Sequence, residues 1–273
     1  MKVHISPWYG RRVLVTGCTE FLGTAVTREL LNRGATVIGL LRRPITRCCL
    51  GSPYDLSQFR VVHGRAEDAA RLHSAMAVHE VSAVFHLASI EPDAVLRAAA
   101  LYHPQLPVVA VQPAEPLRLA ITNKGHWPVP VGIARFGELF GSGDRQHLGI
   151  IPRTVIGLLN GNRDATASDG PTRDFVFVRD AATACLALAE AVAKGGQSLD
   201  CTFRSGWELT EAEIVSLIAD LFAGRPVEPV RQDVSNPLSW QPATPFSTAL
   251  SETIAWFRTL ARVPTAPTQR RAA

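Results

Sequence analysis

Short apolar runs alternate with amphipathic segments along the first half of the chain. A short apolar run bounded by turn residues predicts a buried strand, and apolar residues at helical spacing predict a helix. On this pattern we expect strands at residues 12–16, 36–41, 59–63, 81–87, 107–111 and 129–136. Helices are expected at 21–33, 67–79 and 92–102. Strands this apolar, alternating with helices, are typical of a parallel sheet covered by helices on both faces.

After Gly141 the pattern changes to short strands and longer helical segments. Helices are predicted at 150–159, 181–193, 208–221 and 251–260, and a short strand at 175–178. Thr210 and Glu213 have the spacing of a capping box, which favours a helix that begins beside them. The proline-rich segment 226–245 is expected to be irregular. Because no low-complexity linker separates the halves, we predict an α/β fold, a doubly wound parallel sheet with a small interwoven C-terminal α/β substrate lobe.

The composition excludes several classes of function. With 273 residues, 47% of them hydrophobic and 19% charged, the chain is expected to be a soluble globular protein with a sizeable core. No apolar run is long enough to cross a membrane and no signal-peptide pattern opens the chain, so we expect a cytoplasmic protein without a membrane partner. The net charge of +4 comes from scattered arginines without interleaved aromatic residues, so no nucleic-acid partner is expected.

The five cysteines show neither metal-ligand nor redox spacing. Cys48 and Cys49 are adjacent, and the other three are isolated along the chain. Free thiols are the favoured interpretation, and a strained disulfide within the adjacent pair is the alternative. No metal site is predicted.

A glycine-containing turn joins the first predicted strand to the first predicted helix. Its sequence, TGCTEFLG at residues 16–23, lies where a Rossmann dinucleotide-binding turn belongs. It resembles the TGxxGxxG loop of the short-chain dehydrogenase/reductase family, with Glu20 in place of the middle glycine. In that position glycine lets the backbone approach a pyrophosphate at the helix N-terminus, and a carboxylate about 4 Å from the phosphate opposes binding by about 4 kcal/mol at an effective dielectric of about 20.

The resemblance therefore implies a nicotinamide cofactor, NADP(H) or NAD(H), whose binding Glu20 weakens. The alternative is a Rossmann sheet that binds no cofactor. Residues 1–144 are expected to form the Rossmann part and residues 145–273 mostly the substrate lobe, with 174–193 returning to the Rossmann part.

Three further positions bear on the cofactor. Arg42 and Arg43 end the second strand, where arginines suit the 2′-phosphate of NADP(H) and an acidic residue would hold the ribose of NAD. Ordinary surface arginines are the alternative. Arg65 stands where the family carries an aspartate that reads the adenine. The resemblance assigns to the cofactor, in all, Gly17, Thr19, Glu20, Phe21, Leu22, Gly23, Arg42, Arg43, Arg65, Ala66, Leu87, Ala88 and Ser89.

Later motifs narrow the resemblance to extended members of the family. The stretch RFGELFGSGD at 135–144 is similar to the RFGNxYGxGD of nucleotide-sugar dehydratases, and TRDFVFVRD at 172–180 is similar to their TRDFxxVxD. The segment 238–257 resembles their LGWxP…IxWY ending. The chain thus resembles the NAD-dependent epimerase/dehydratase family, and CDP-glucose 4,6-dehydratases most, over most of residues 11–258.

The same resemblance implies three substrate-binding residues. Glu138 replaces the asparagine that contacts the nucleotide sugar, Arg173 is kept as a phosphate or sugar donor, and Arg231 falls where a further nucleotide contact lies. For Arg173 the alternative is a structural ion pair with Asp174 or Asp180. The implied partner is a small-molecule substrate.

The catalytic Tyr–Lys pair of the family is missing. The family uses a tyrosine and a lysine four positions later, whose charge lowers the pKa of the phenol. None of Tyr9, Tyr54 and Tyr102 is followed by such a lysine. The chain before the strand at 129–136 is also shortened, and with it the helices through which extended members dimerise. The remaining candidates for proton transfer are Ser89, Lys124 and Glu138.

Three functions stay open at this point. The first is an enzyme of specialised metabolism that uses the cleft for non-redox chemistry, of lyase, isomerase or cyclase type, on a sugar-, nucleoside- or polyketide-like intermediate. The second is an NAD(P)-dependent nucleotide-sugar dehydratase, epimerase or reductase with relocated acid and base groups. The third is a non-catalytic protein that binds a dinucleotide or metabolite. Fold analogy alone does not choose among them.

Overall fold

The alternating pattern forms one large parallel sheet and a second small one in the computed structural model, which describes residues 5–42, 56–113, 127–144, 149–162 and 170–261. The first half contains β1 (Arg12–Thr16), α1 (Phe21–Asn32), β2 (Thr36–Leu41), β3 (Phe59–His63), α2 (Ala69–Val78), β4 (Ala83–His86), α3 (Asp93–Tyr102), β5 (Val108–Pro113) and β6 (Val131–Phe136). The second half contains β7 (Glu138–Phe140), α4 (Ile150–Leu159), β8 (Arg173–Phe177), α5 (Val178–Gly195), β9 (Leu199–Phe203), β10 (Glu208–Leu209), α6 (Glu211–Phe222) and α7 (Phe246–Ala261).

The large sheet has the strand order β3-β2-β1-β4-β5-β6-β9, and each of its pairings is parallel. Helices α1 and α5 pack together over one face, and α2 and α3 pack together over the other. Two hydrophobic clusters, one on each face, form the core. The predicted doubly wound Rossmann sheet is confirmed. The strand order reverses between β1 and β4, and in such sheets ligands bind at the carboxyl ends of the strands beside this point.

The small sheet has the order β10-β8-β7 and lies beyond the carboxyl end of β6. Strands β7 and β8 are parallel, and β10 pairs antiparallel with β8. Helix α4 packs against α6 and α7 on this side of the molecule. After β8 the chain returns to the large sheet, because α5 packs on α1 and β9 pairs with β6. The division of the chain at residue 144 stays a prediction.

Several element boundaries differ from the sequence pattern. The helix expected at 208–221 begins only at Glu211, because Glu208 and Leu209 pair with β8 as strand β10. The capping box of Thr210 and Glu213 closes its N-terminus as predicted. The helix expected at 251–260 begins at Phe246, whose side chain is buried. Strands β7, β9 and β10 were not predicted.

Several expectations concern what the chain lacks. Within the described ranges no helix is long and apolar enough to cross a membrane. Across the same ranges no three potential metal ligands lie together. Cys18, Cys185 and Cys201 are buried, and burial raises the pKa of the Cys185 thiol. Cys48 and Cys49 lie outside the described residues.

Candidate functional site

The turn between β1 and α1 is built so tightly that only glycine fits at two of its positions. Gly17 has a φ of +69°, and a Cβ on it would lie 2.6 Å from the backbone nitrogen of Ala88. A Cβ on Gly23 would lie 1.9 Å from the carbonyl oxygen of Gly17. We call this turn the glycine loop (residues 17–23). Its glycines allow it to pack closely against the chain at the end of β4. This contact places the N-terminus of α1 at the carboxyl edge of the sheet.

Glu20 is the N-cap residue of α1, but its side chain does not cap the helix. Instead its carboxylate Oε2 accepts a hydrogen bond of 3.0 Å from Ser89 Oγ, and both side chains are exposed. Ser89 follows β4, so this bond joins the glycine loop to the loop after the neighbouring strand. The sequence placed both residues near a cofactor, and the structure brings them into contact.

Other residues that were predicted to contact a cofactor lie at the same edge, in the glycine loop and just after β4. Thr19, Phe21 and Ala88 are partly exposed there, whereas Leu22 and Leu87 are buried.

The side chain of His86 forms hydrogen bonds that hold this edge together. Its side chain is buried, with Nδ1 2.8 Å from Thr16 Oγ1 and Nε2 2.9 Å from the carbonyl oxygen of Ile90. A carbonyl only accepts, so Nε2 carries the proton and Nδ1 accepts from the Thr16 hydroxyl. Desolvation by burial lowers the pKa of His86, and the bond to Ile90 opposes that shift. A neutral imidazole therefore ties the end of β4 to β1 and to the loop that carries Ser89.

We expect this buried imidazole to make the protein less stable in acid. The unfolded chain takes up a proton at the ordinary histidine pKa, whereas the folded chain takes it up only at lower pH. The free energy of unfolding should therefore fall as pH drops below about 6.5, by at most about 1.4 kcal/mol per pH unit. Urea unfolding of wild type and His86→Asn between pH 5 and 8 measures this slope.

The His86→Asn variant should be less stable at neutral pH but should lose part of the acid dependence. The matched variant is His63→Asn at an exposed strand end, which separates the effect of burial from that of removing any histidine. An unchanged slope in His86→Asn would show that other groups cause the acid sensitivity.

Arg42 and Arg65 follow β2 and β3 at the same edge of the sheet, and both are exposed. Arg65 Nη2 lies 3.2 Å from Glu67 Oε1. The pKa of Glu67 is lowered most by a hydrogen bond from the backbone N–H of the same residue. The hydrogen bond from Arg65 lowers it next, and the charge of Arg42 also contributes. Arg65 thus pairs with Glu67, whereas Arg42 acts on the same carboxylate only through its charge. Of the other residues predicted here, Ala66 is buried, and Arg43 lies outside the described residues.

In the small sheet, Arg173 lies between two carboxylates. It begins β8, and its Nη1 is 3.3 Å from Oε2 of Glu138, which begins β7. Its Nη2 is 3.3 Å from Oε1 of Glu211 in the first turn of α6. Oε2 of Glu211 also lies 3.6 Å from Nη2 of Arg153 in α4. We call these four residues the charge cluster, and it connects four elements of the lobe.

The structural partners considered for Arg173 from the sequence were wrong, because Asp174 and Asp180 bind elsewhere. Asp174 accepts from the backbone N–H of Ser205 at 3.0 Å, from Ser205 Oγ at 2.7 Å and from the N–H of Gly206 at 2.9 Å. Asp180 accepts from the backbone and hydroxyl of Thr244 at 3.2 and 3.0 Å. Burial raises the pKa of Asp180, and the bonds from Thr244 oppose it. Both aspartates anchor loops.

Arg231 is held by contacts within the lobe. Its Nε donates to the carbonyl oxygen of Ser205 at 2.8 Å, and its guanidinium lies 5.5 Å from the centre of the Trp207 ring. It also donates to the side chain of Gln241. Arg231 remains exposed, but these bonds fix it to the turn that Asp174 anchors.

The turn after β7 connects the charge cluster to the glycine loop, and we call the region between these two the cleft. Gly143 has a φ of +105°, and a Cβ on it would lie 3.7 Å from Cδ2 of Phe21, the first residue of α1. The chain that carries Glu138 therefore passes directly by the glycine loop. A glycine loop at the switch point of a doubly wound sheet, faced by a small lobe, defines a Rossmann-type ligand-binding protein.

The family follows from comparison with known proteins. The model of the NAD dependent epimerase/dehydratase family matches residues 13–103 and 119–201, and the chain belongs to this family. A search of curated proteins gives no match.

Solved structures show the same fold at low sequence identity. UDP-N-acetylglucosamine 4-epimerase from Methanobrevibacter ruminantium M1 matches with a TM-score of 0.73 and 19% identity, over 92% of this chain and 99% of that chain. UDP-glucose 4-epimerase from Thermotoga maritima gives 0.68 and 18%, over 92% and 100%. The dTDP-glucose 4,6-dehydratase from Bacillus anthracis, in complex with NAD, gives 0.66 and 17%, over 92% and 97%.

Two of the three tyrosines lie far from the glycine loop. Tyr9 packs on Gly34, and Tyr102 ends α3, so both lie at the amino edge of the sheet, opposite the glycine loop. Tyr54 and the candidate Lys124 lie outside the described residues. Glu211 and Arg153 were not singled out from the sequence. The only signal for Glu211 was its place beside the capping box.

Proposed function

We propose that this member of the family is a cytoplasmic enzyme of specialised metabolism that performs non-redox chemistry in the cleft. The reaction would be of lyase, isomerase or cyclase type, on a sugar-, nucleoside- or polyketide-like intermediate. The observation that carries the proposal is the hydrogen bond between Ser89 and Glu20, which holds a carboxylate at the glycine loop.

The backbone of the glycine loop suits a dinucleotide, but the side chain of Glu20 does not. Gly17, Gly23 and the N-terminus of α1 form the close-packed turn that a pyrophosphate requires. Glu20 places a negative charge beside that turn. The repulsion of about 4 kcal/mol expected at about 4 Å corresponds to roughly a thousandfold loss of affinity. The side chain therefore does not fit the cofactor, and we derive no hydride transfer through it.

The same residues suit proton transfer. A lyase, isomerase or cyclase step needs one group that takes a proton and another that returns it. Ser89 Oγ donates to Glu20 at 3.0 Å, which is within the reach of a carboxylate that takes the proton of a hydroxyl. Glu138 provides a second carboxylate on the opposite side of the cleft. We assign the acid and base roles to these three residues.

A second candidate is the NAD(P)-dependent nucleotide-sugar enzyme. It is favoured by Arg42 and Arg65, which lie at the ends of β2 and β3 where the ribose end of a dinucleotide would be placed. The structures of a Bordetella bronchiseptica enzyme, WbmH, and of the Bacillus anthracis dehydratase contain NAD. Under this candidate the cofactor of this chain would be NADP(H) or NAD(H).

Titration with NAD⁺, NADH, NADP⁺ and NADPH decides between the candidates. We expect none of them to raise the melting temperature of wild type at millimolar concentration. In the variant Glu20→Gly the affinity should rise by roughly a hundredfold to a thousandfold, because removal of the carboxylate relieves the repulsion. Glycine fits at this position, where the backbone is extended and the side chain makes no cap bond.

The matched control is Ser89→Ala, which removes the partner of Glu20 but keeps its charge. It should not restore dinucleotide affinity. A dinucleotide that already stabilises wild type would support the second candidate instead. Absence of turnover with any intermediate of the proposed classes, in a protein that still binds one, would identify a non-catalytic binding protein.

A further inference from the structure

The charge cluster opposite the glycine loop bears on the chemical class of the substrate. Arg173 has a guanidinium group of the kind that binds phosphate through two parallel hydrogen bonds. Here Nη1 faces Glu138 and Nη2 faces Glu211, each at 3.3 Å. A phosphate that approached these two nitrogens would have to displace both carboxylates.

The charges of the cluster balance within the protein. Glu138 and Glu211 carry two negative charges, and Arg173 and Arg153 carry two positive ones. The side chain of Glu211 is only 19% exposed, so its charge is screened less by solvent than that of a surface residue. The cluster therefore presents no net positive charge to an anion, but it offers carboxylate oxygens that accept from hydroxyl groups.

The glycine loop also holds a carboxylate where a phosphate would bind. The N-terminus of α1 presents backbone N–H groups there, and Glu20 is its N-cap residue. Thus two of the positions suited to phosphate, on two separate elements, each hold an acidic side chain.

We infer that the substrate of this cleft carries no diphosphate and is a neutral, hydroxyl-bearing compound, and that Glu138 and Glu211 set this selectivity by neutralising Arg173. The inference rests on the proposed function in taking the cleft as the substrate site. Such a substrate differs from the ligands named for two of the similar structures, which are UDP-N-acetylmuramic acid and UDP-glucose.

The test compares uridine with UDP, which differ only by the diphosphate, by calorimetry at physiological ionic strength. The proteins are wild type, the double variant Glu138→Gln/Glu211→Gln, and the same double variant with Arg173→Gln added. Glutamine keeps the size of each side chain and removes its charge. Melting temperatures of all three establish that each is folded.

Wild type should bind UDP no more tightly than uridine. The double variant should bind UDP at least tenfold more tightly than wild type does, and the added Arg173→Gln should abolish that gain. A folded double variant without the gain, or with a gain that persists without Arg173, overturns the inference. So does a wild type that binds UDP more tightly than uridine.

Neither probe contains nicotinamide, and Glu20 is intact in every variant. Failure of this inference therefore differs from failure of the proposed function, which would appear as dinucleotide binding to wild type.

Discussion

A Gly23→Ala variant is expected to lose about 4 kcal/mol or more of unfolding free energy, enough to leave little folded protein. The new methyl group would lie 1.9 Å from the carbonyl oxygen of Gly17. The clash is with backbone on both sides, so no flexible side chain can move away to relieve it. Gly17 itself has little room to move, because a Cβ built on it would already overlap the backbone of Leu87 and Ala88. Overpacking of this kind belongs to the most destabilising class of substitutions.

Urea unfolding measures this effect, and Gly157→Ala in α4 is the matched control. Gly157 also lies in a helix, and a Cβ there would meet only the carbonyl oxygen of Asn162, at an ordinary 3.9 Å. Alanine favours a helix over glycine, so this variant should be unchanged or more stable by up to about 1 kcal/mol. If Gly23→Ala were within about 1 kcal/mol of wild type, the glycine loop would not be packed as described.

An Asp174→Ala variant should lose about 3 kcal/mol. The carboxylate accepts three hydrogen bonds from Ser205 and Gly206, both of which are buried. Bonds to a charged acceptor contribute about 1.5 to 3 kcal/mol each, and the loss leaves buried N–H groups without a partner. The turn at Ser205 also carries the carbonyl that binds Arg231. We therefore expect the position of Arg231, on the lobe side of the cleft, to change when this stability is lost.

Two controls bracket this prediction. Asp174→Asn keeps one acceptor oxygen and should lose less than the alanine variant. Asp200→Ala removes another carboxylate on a strand, whose bidentate pair with Arg135 is about half exposed, and it should cost at most about 1 kcal/mol. Chemical denaturation of the three variants gives the order. Equal losses for Asp174→Ala and Asp200→Ala would mean that the turn does not depend on Asp174.

Most strands of the large sheet were predictable because they are nearly continuous apolar runs. In β1, β2 and β4 nearly every residue is buried on one face or the other, and such runs stand out in the sequence. Strand β9 was missed because polar residues alternate with its buried ones. Strand β10 has only two residues and exists only through its pairing with β8, which no local pattern can indicate.

Four residues of the candidate site were singled out from the sequence, but Glu211, Arg153 and the pairings between the residues were not. Glu20, Ser89, Glu138 and Arg173 were all singled out from motif positions. That Ser89 bonds Glu20, and that Arg173 lies between Glu138 and Glu211, depends on contacts between elements far apart in the chain. Sequence spacing offered Asp174 as a partner for Arg173 because it is adjacent. On a strand, however, adjacent side chains point to opposite faces, so Asp174 bonds Ser205 instead.

The pairing of β9 with β6 has a consequence for how the chain folds during synthesis. The two strands are neighbours in the sheet, but strands β7 and β8 of the small sheet and helix α5 lie between them in the sequence. As the ribosome releases the chain, β6 stays an open edge, and α1 stays uncovered, until residues 178–203 have emerged. Closing so distant a contact is slow, and an open strand edge invites association with other chains. Nascent chains that stop before residue 203 should therefore depend on chaperones, and the sheet should close only after β9 leaves the exit tunnel.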